Sequence, residues 1–311
     1  MKMSDLEGQI WMDGSFCEWK EARIHLLTHT LHYGTGVFEG VRAYKTNEGP
    51  AIFRLKDHTD RLFNSAKLIG MEIPFSSESF MKAQCDTVNI NNLQNAYIRP
   101  LCFYGSEGMG LRADNLMVHC AIAAWDWGPY LGQDKIANGI RVKVSPFPKR
   151  NELSMLYQAK ATGNYLNSML ALRDALNSGY DEALILGTDD NVNEGSGENF
   201  FIIKNGELFT PNLATVLDGI TRKTILTLAE ELNIKTFEKK ISLDEVFACD
   251  EAFFTGTAAE VTPIIEIDDQ KIGNGAPGKI TKILQKNYFN LVSGNEKKHA
   301  EWLTIVRNLH D

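Results

Sequence analysis

At 311 residues, and roughly 150 per domain, the chain reads as two domains, and a composition of 43% hydrophobic and 23% charged residues excludes disordered, collagen-like and fibrous classes. Its 32 basic against 40 acidic residues give a net charge of -8, and no basic run exceeds a pair, so neither nucleic acid nor an anionic membrane is an expected partner. Cys17, Cys85, Cys102, Cys120 and Cys249 are scattered without a C-x-x-C pair, no apolar window approaches about eighteen residues, and acidic Asp5 and Glu7 stand where a leader would be apolar. The expectation is a cytoplasmic protein with free thiols and no metal site.

In chain order, residues 10–19 read as a strand pair turned at Asp13-Gly14, a dipeptide suited to a two-residue hairpin. Residues 51–55 form a short strand, and Leu55, Leu62, Ala66 and Ile69 then recur on one helical face. A second helix is expected over 77–91, followed by two apolar runs, 96–104 and 117–127, that read as central strands. Gly and Pro punctuate 128–139, which is taken as the connection between a domain of 1–127 and one of 140–311. The second domain opens with a strand at 140–147, a helix over 164–177 closed by Gly179, and a strand at 182–186. Strands 200–204 and 207–210 flank Asn205-Gly206, a hairpin signal because both residues tolerate positive φ. The helix after Gly219 carries Ile225, Leu228, Ala229 and Leu232; strands at 234–241 and 252–255 and a helix near 279–291 complete the set. Hairpins and helices mixed without steady βαβ alternation predict an α+β protein, and neither G-x-G-x-x-G nor a P-loop appears.

Four stretches carry candidate chemistry. The run from His32 to Arg42 places Gly34, Gly36 and Gly40 around Tyr33 and Phe38, letting backbone approach a ligand beside aromatic walls; a turn-rich connection accounts for the same composition. Lys160, between Ala159 and Ala161 ahead of a helix, could be a desolvated amine fit for Schiff-base chemistry, or a surface charge. Glu194 and Glu198 stand among glycines before an apolar strand. A buried carboxylate there would suit the ring nitrogen of a pyridoxal cofactor; an exposed acidic turn is the plainer alternative, and their four-residue spacing has no special meaning for glycoside hydrolysis. The turns at 217–222 and 255–260 combine Gly, Thr and a helix start or strand end, a pattern that binds phosphate through free amides or forms ordinary caps.

Nine motifs then follow in a recognisable order: H-Y-G-T-G-V-F-E-G-V-R-A-Y from His32, H-x-x-R-L from His58, A-Y-I-R-P from Ala96, G-M-G-L from Gly108, W-G-P-Y-L-G from Trp127, A-K-A-T-G-N-Y-L from Ala159, N-E-G-S-G-E-N-F from Asn193, G-I-T-R from Gly219 and G-T-A-A-E from Gly256. With these the chain resembles, nearly end to end, the branched-chain amino acid aminotransferases, members of the fold type IV group of enzymes that use pyridoxal 5′-phosphate (PLP).

The resemblance implies a smaller N-terminal domain, a larger C-terminal domain built on a pseudo-barrel, and a site in the cleft between them. It makes Lys160 the Schiff-base lysine that also shuttles the Cα proton. Glu194 would hold the pyridinium proton, Tyr165 the ring's phenolic oxygen, and Leu217 would pack on the ring. Arg61, the amides of Ile220 and Thr221, and Thr257 would hold the phosphate. The substrate α-carboxylate would meet Tyr97 and the amides of Thr257 and Ala258. Tyr33, Phe38, Trp127, Tyr130 and Tyr165 would wall the side-chain pocket, with Arg99, Tyr33 and the backbone at Gly40 serving the γ-carboxylate of glutamate. The implied reaction exchanges the amino group between L-leucine, L-isoleucine or L-valine and 2-oxoglutarate. Alternatives of the same fold are a D-amino acid or amine aminotransferase, an aminodeoxychorismate lyase, and a non-catalytic PLP-binding relative. At least a homodimer is implied, with Gly108–Leu111 reaching the neighbour's pocket and a trimer of dimers as a larger state.

Overall fold

The structure is a computed structural model that describes residues 2–112, 115–128, 131–149, 155–214 and 216–307. These fall into two compact units. The first gathers the described residues up to Trp127, Ala159–Gly163 and those from Leu291 onward; the second holds those of Gly128–Gln158 and Asn164–Asn290. One division between the units falls at 127/128, and residues 159–163 and 291–307 group with the first unit rather than with the sequence next to them.

The first unit opens with the hairpin β1 (Gln9–Met12) and β2 (Ser15–Glu18), turned through Asp13 and Gly14 at φ 49° and 97°. The short helix α1 (His29–Tyr33) leads into β3 (Gly36–Phe38), β4 (Val41–Thr46) and β5 (Gly49–Phe53). Helix α2 (Leu55–Leu68) buries Leu55, His58, Leu62, Ser65 and Ala66 on one face. Helix α3 (Ser77–Ile90) is capped by Ser76, whose side chain accepts the Ser79 amide, and the helix buries Phe80, Ala83 and Val88. The long pair β6 (Ala96–Tyr104) and β7 (Val118–Trp125) runs antiparallel from Tyr97 opposite Trp125 to Tyr104 opposite Val118. Alternation along β6 sends Ile98 and Cys102 into the core with Val41, Leu62, Phe80 and Ile122 and leaves Tyr97 and Arg99 on the other face.

The second unit begins with α4 (Gln133–Asn138), inside the segment expected to be a plain connection, and β8 (Ile140–Val144). Then come α5 (Tyr165–Asn177), followed by Gly179 at φ 82°, β9 (Glu182–Leu186), β10 (Val192–Gly195), β11 (Asn199–Lys204), β12 (Glu207–Thr210) and α6 (Ile220–Glu231). Next are β13 (Thr236–Glu238), shorter than the strand expected over 234–241, α7 (Leu243–Phe247) with its Ser242–Glu245 capping box, and β14 (Glu251–Gly256). The eight-residue β15 (Glu260–Ile267), which the sequence analysis did not assign, is followed by β16 (Gln270–Lys271) and α8 (Lys279–Val292). Pairing runs β10-β9-β8-β15-β14-β11, and β11 returns to pair with β10. Six strands therefore close into a ring, the barrel-like sheet expected of the larger domain; Ile140, Val142, Phe200, Ile202, Phe254 and Ile264 belong to its core. The final strand β17 (Leu303–Ile305) pairs antiparallel with β5, which explains why the C-terminal segment groups with the first unit. No described helix is long and apolar enough to cross a membrane.

Candidate active site

In the first unit a single strap, Val37 to Gly40, organises the candidate residues. Val37 bridges to Ala161, the Phe38 amide donates to the Lys160 carbonyl at 3.1 Å and the Glu39 amide to the Pro100 carbonyl at 2.9 Å. Lys160 is fixed from the other side, because its own amide donates to Ser65 Oγ of α2 at 2.9 Å. Thr162 fastens the next step: its hydroxyl donates to the Gly34 carbonyl at 2.8 Å and accepts the Gly36 amide at 3.1 Å. Gly34 sits at φ 66°, and a Cβ there would lie 2.9 Å from Gly163 Cα, so this approach of two backbones requires glycine.

The charged groups gather around that strap. The Phe38 ring has Lys160 Nζ at 5.2 Å and Arg99 Cζ at 4.8 Å from its centroid, cation–π distances for both. Arg99 Nη2 donates to Tyr97 Oη at 3.1 Å, while Arg99 Nε is buried without a hydrogen-bond partner among the described residues. Tyr97 packs edge-on against Trp127 at 4.8 Å, and the Trp127 carbonyl accepts from Arg42 at 2.7 Å. A methyl group at Gly40 would overlap the Tyr97 hydroxyl, so glycine is required there by close approach. Tyr33 stands at the end of α1 and is partly exposed.

Beneath the strap, fully buried Glu39 receives Arg61 Nε at 2.7 Å, Arg61 Nη2 at 2.9 Å and His58 Nδ1 at 2.8 Å. His58 and Arg61, three residues apart, share one face of α2. Because a carboxylate only accepts, Nδ1 carries the His58 proton. Burial pushes the Glu39 carboxyl upward, but the Arg61 charge and the His58 contacts outweigh it and hold the group well below the ordinary carboxylate range. Burial is also the largest influence lowering His58, against the pull of Glu39. Lys160 is pushed down to about 8, first by burial and then by Arg61, with Glu39 and Tyr97 opposing and Arg99 reinforcing the shift. An amine held there is partly unprotonated near neutrality, as an attacking amine must be.

In the second unit the motifs at 193–200 and 217–222 are pinned to one another. Glu194, on β10, accepts Lys149 Nζ on one oxygen and the Leu217 amide at 3.2 Å on the other. Asn199 Nδ2 donates to the Leu217 carbonyl at 2.9 Å, and a Cβ on Gly219 would collide with Asn199 Oδ1. Gly219 caps α6, and no side chain caps the helix start; Asp218 pairs with Lys223 at 2.6 Å. The amides of Ile220 and Thr221 thus begin a 12-residue helix whose positive end favours an anion. Thr257 and Ala258 lie in the turn between β14 and β15, where Gly256 pairs with Glu260, and Thr255 Oγ1 nearby on β14 is buried without a hydrogen-bond partner among the described residues. Tyr165 is the first residue of α5.

The first unit therefore brings together Lys160, Arg61, Phe38, Gly40, Tyr97, Arg99 and Trp127, and the second Glu194, Leu217, Ile220 and Thr221. Tyr130 lies outside the described residues. The donor chemistry suits pyridoxal phosphate: a lowered amine, a guanidinium and an uncapped helix start for phosphate, and a carboxylate for a ring nitrogen. Sequence reasoning missed Glu39, which sits unremarked inside the Gly-rich motif, and Lys149. The signal for Glu39 was present, since His58 and Arg61 at three-residue spacing call for a shared acceptor.

Comparison with known proteins shows the family. Residues 36–267 match the family described as amino-transferase class IV. A branched-chain-amino-acid aminotransferase of Pseudomonas aeruginosa is 56% identical over 307 residues, covering 99% of this chain and 100% of that protein. The crystal structure of the Escherichia coli branched-chain amino acid aminotransferase superposes with a TM-score of 0.95 at 39% identity, over 97% of this chain and 100% of that one. The branched-chain amino acid aminotransferase of Thermobaculum terrenum, solved in its PLP-form, has a TM-score of 0.90 at 34% identity, over 97% of this chain and 99% of that one.

Proposed function

We propose residue roles and a substrate range for this chain, which belongs to the class IV amino-transferase family and stands among its branched-chain-amino-acid aminotransferases. It is a transferase that works with pyridoxal 5′-phosphate and passes an amino group between amino acids and 2-oxo acids. When bound, the cofactor supplies an electron-withdrawing ring that stabilises negative charge at the substrate Cα.

The chain's own groups do the rest. Lys160 would hold the cofactor through its amine, and the same amine would carry a proton between the substrate Cα and the cofactor's C4′. The observation that carries this reading is the placement of Lys160, its backbone held by Ser65 and Phe38 and its Nζ 5.2 Å from the Phe38 ring centroid, where burial and Arg61 lower the amine to about 8. Arg61, the amides of Ile220 and Thr221, and Thr257 hold the phosphate; Glu194 keeps the ring nitrogen protonated, Tyr165 meets the phenolic oxygen and Leu217 packs on the ring. Tyr97 and the amides of Thr257 and Ala258 take the substrate α-carboxylate. Arg99 serves the γ-carboxylate of glutamate with Tyr33 and Gly40, supported by its unpartnered buried Nε. Tyr33, Phe38, Trp127, Tyr130 and Tyr165 would serve the side chain of the substrate. An apolar pocket separates chains differing by one methylene by only about 1 to 3 kcal/mol, so L-leucine, L-isoleucine and L-valine all react, with 2-oxoglutarate as acceptor.

We further propose a homodimer as the smallest working assembly, with a trimer of dimers as a larger state, supported by the exposed Met109 and Leu111 on an expected partner-facing segment. A cytoplasmic setting is supported by the buried thiols of Cys102 and Cys120, whose sulfurs lie 3.3 Å apart as free thiols, a state that a reducing compartment maintains. The test is stereospecific: purified protein with pyridoxal phosphate and 2-oxoglutarate should form glutamate from L-leucine. Activity on D-alanine in place of L-leucine would instead assign a D-amino acid aminotransferase.

A further inference from the structure

The segment following β6 is closed by one residue that also supports Tyr33. His29 is 1% exposed. Its amide donates to the Gly105 carbonyl at 2.7 Å, and its ring Nε2 lies 2.6 Å from the Gly110 carbonyl. Because that carbonyl only accepts, Nε2 carries a proton, and Nδ1 lies 3.1 Å from the Thr35 hydroxyl. The backbone at 105–110 is thus held at both ends by a single side chain and its own amide. The ring is wedged in turn, with Tyr33 at 4.5 Å and 39° and Tyr104 at 6.3 Å and 87°. Thr30 completes the clamp, its hydroxyl accepting the Tyr104 amide at 2.9 Å and donating to the Thr35 carbonyl at 3.2 Å. Gly110 takes φ 100°, and on either side of it Met109 and Leu111 project, 48% and 91% exposed.

Two apolar side chains held outward on a pinned turn, beside a tyrosine resting on the same imidazole, call for a reason to be rigid. We propose that His29 is a positioning residue for recognition of the substrate side chain, setting both the Tyr33 ring and the turn that presents Met109 and Leu111. The inference rests on the roles proposed above for Tyr33 and for the 108–111 segment. His29 touches neither substrate nor cofactor; it acts through these two neighbours, and Thr35 of the Gly-rich motif acts through it.

The geometry supplies a discriminating pair of variants. The side-chain nitrogen of glutamine matches imidazole Nε2 in reach, whereas the asparagine side chain reaches only as far as Nδ1, where its oxygen can accept the Thr35 hydroxyl. His29→Gln therefore keeps the donor to Gly110 and loses the partner for Thr35, whereas His29→Asn does the reverse. In the full-length holoenzyme, amide hydrogen exchange at 105–111 and kcat and KM for L-leucine are measured for both. His29→Asn should speed exchange in that segment about tenfold or more and raise KM about fivefold, with kcat within about twofold; the visible absorbance of the bound cofactor should not change. His29→Gln should recover most of both effects. Equal behaviour of the two variants, or faster exchange with unchanged KM, overturns the proposal. If His29→Asn does not fold, His29→Phe, which keeps a ring between Tyr33 and Tyr104 but has no donor for the Gly110 carbonyl, must raise both quantities, and unchanged values overturn it equally. A wild-type protein that does not transaminate L-leucine would overturn the proposed function itself, a result the exchange measurement does not depend on.

Discussion

Glu39 and Arg61 meet through two nearly parallel hydrogen bonds, Nε to Oε1 at 2.7 Å and Nη2 to Oε2 at 2.9 Å, in a position where the carboxylate is fully buried. The pair fixes the guanidinium from behind, so a group proposed to hold a phosphate is oriented before any phosphate arrives, which lowers the ordering cost of binding. It also places one negative charge beneath a cluster that includes Lys160 and Arg99.

Glu39→Gln removes the charge from the fully buried member of that pair. Removing one member of a buried ion pair typically costs about 3–5 kcal/mol, and urea unfolding at neutral pH should read a loss of that order. Because the Glu39 carboxyl is held below its ordinary value of 4.5, its contribution is complete above that value and fades as pH falls through the lower, folded-state value. The gap between wild type and variant should therefore narrow in acid. A variant as stable as wild type, or a gap that widens in acid, contradicts this account of the pair.

Lys160 carries the opposite sign. Its amine titrates at about 8 in the folded protein, lowered mainly by burial from an ordinary 10.5. Below pH 8 both folded and unfolded chains are protonated and the folded state bears the full cost. Between these values the unfolded chain binds the extra proton, so stability rises with pH. Some solvent access at Lys160 tempers the cost. Lys160→Met should thus stabilise the cofactor-free protein by about 2 kcal/mol at pH 7, with the advantage shrinking from pH 8 to 10.5. Paired denaturation curves at both ends of that range check it; a Met variant less stable at pH 7 contradicts it.

Gly40→Ala tests the close approach to Tyr97. The added methyl would overlap the hydroxyl and lie 2.9 Å from Cζ, while Tyr97 is hemmed in by Trp125 and Trp127 at 5.2 and 4.8 Å. Overpacking of this kind costs about 1–3 kcal/mol, and because the displaced hydroxyl is the proposed carboxylate contact, KM for L-leucine should rise as well. Normal KM would remove Tyr97 from that role.

Glu194→Gln keeps the volume of the side chain and an acceptor for the Leu217 amide, now 3.2 Å away, but loses the charge that pairs with Lys149 and is proposed to retain the ring proton. The variant should still bind pyridoxal phosphate and lose activity by at least about 100-fold, the scale of a general acid–base contribution. Unchanged kinetics would remove Glu194 as the ring partner.

Much of this was legible in the sequence because local rules sufficed. The Asp13-Gly14 and Asn205-Gly206 turns, the apolar face of α2 and the long strands β6 and β7 follow from turn chemistry and periodicity. Strand β15 escaped because Pro263 interrupts Val261, Thr262 and Ile264, and its pairing with β8 and β14 is a tertiary fact. The assignment of Ala159–Gly163 to the first unit escaped for the same reason: it depends on the bridge from Val37 to Ala161 and on the Thr162 hydroxyl, contacts spanning more than a hundred residues. Among site residues, Lys160 and Glu194 could be picked out by residue type and glycine context. Glu39 was signalled only through the spacing of His58 and Arg61, and His29 and Lys149 not at all, because each acts by holding another group.

The most direct test of the central claim compares wild type and Lys160→Ala for glutamate formation from L-leucine and 2-oxoglutarate with pyridoxal phosphate present. The account predicts steady glutamate production by the wild type, and from the variant neither turnover nor the visible absorbance of a lysine-bound cofactor. Wild-type-like turnover by Lys160→Ala would contradict it.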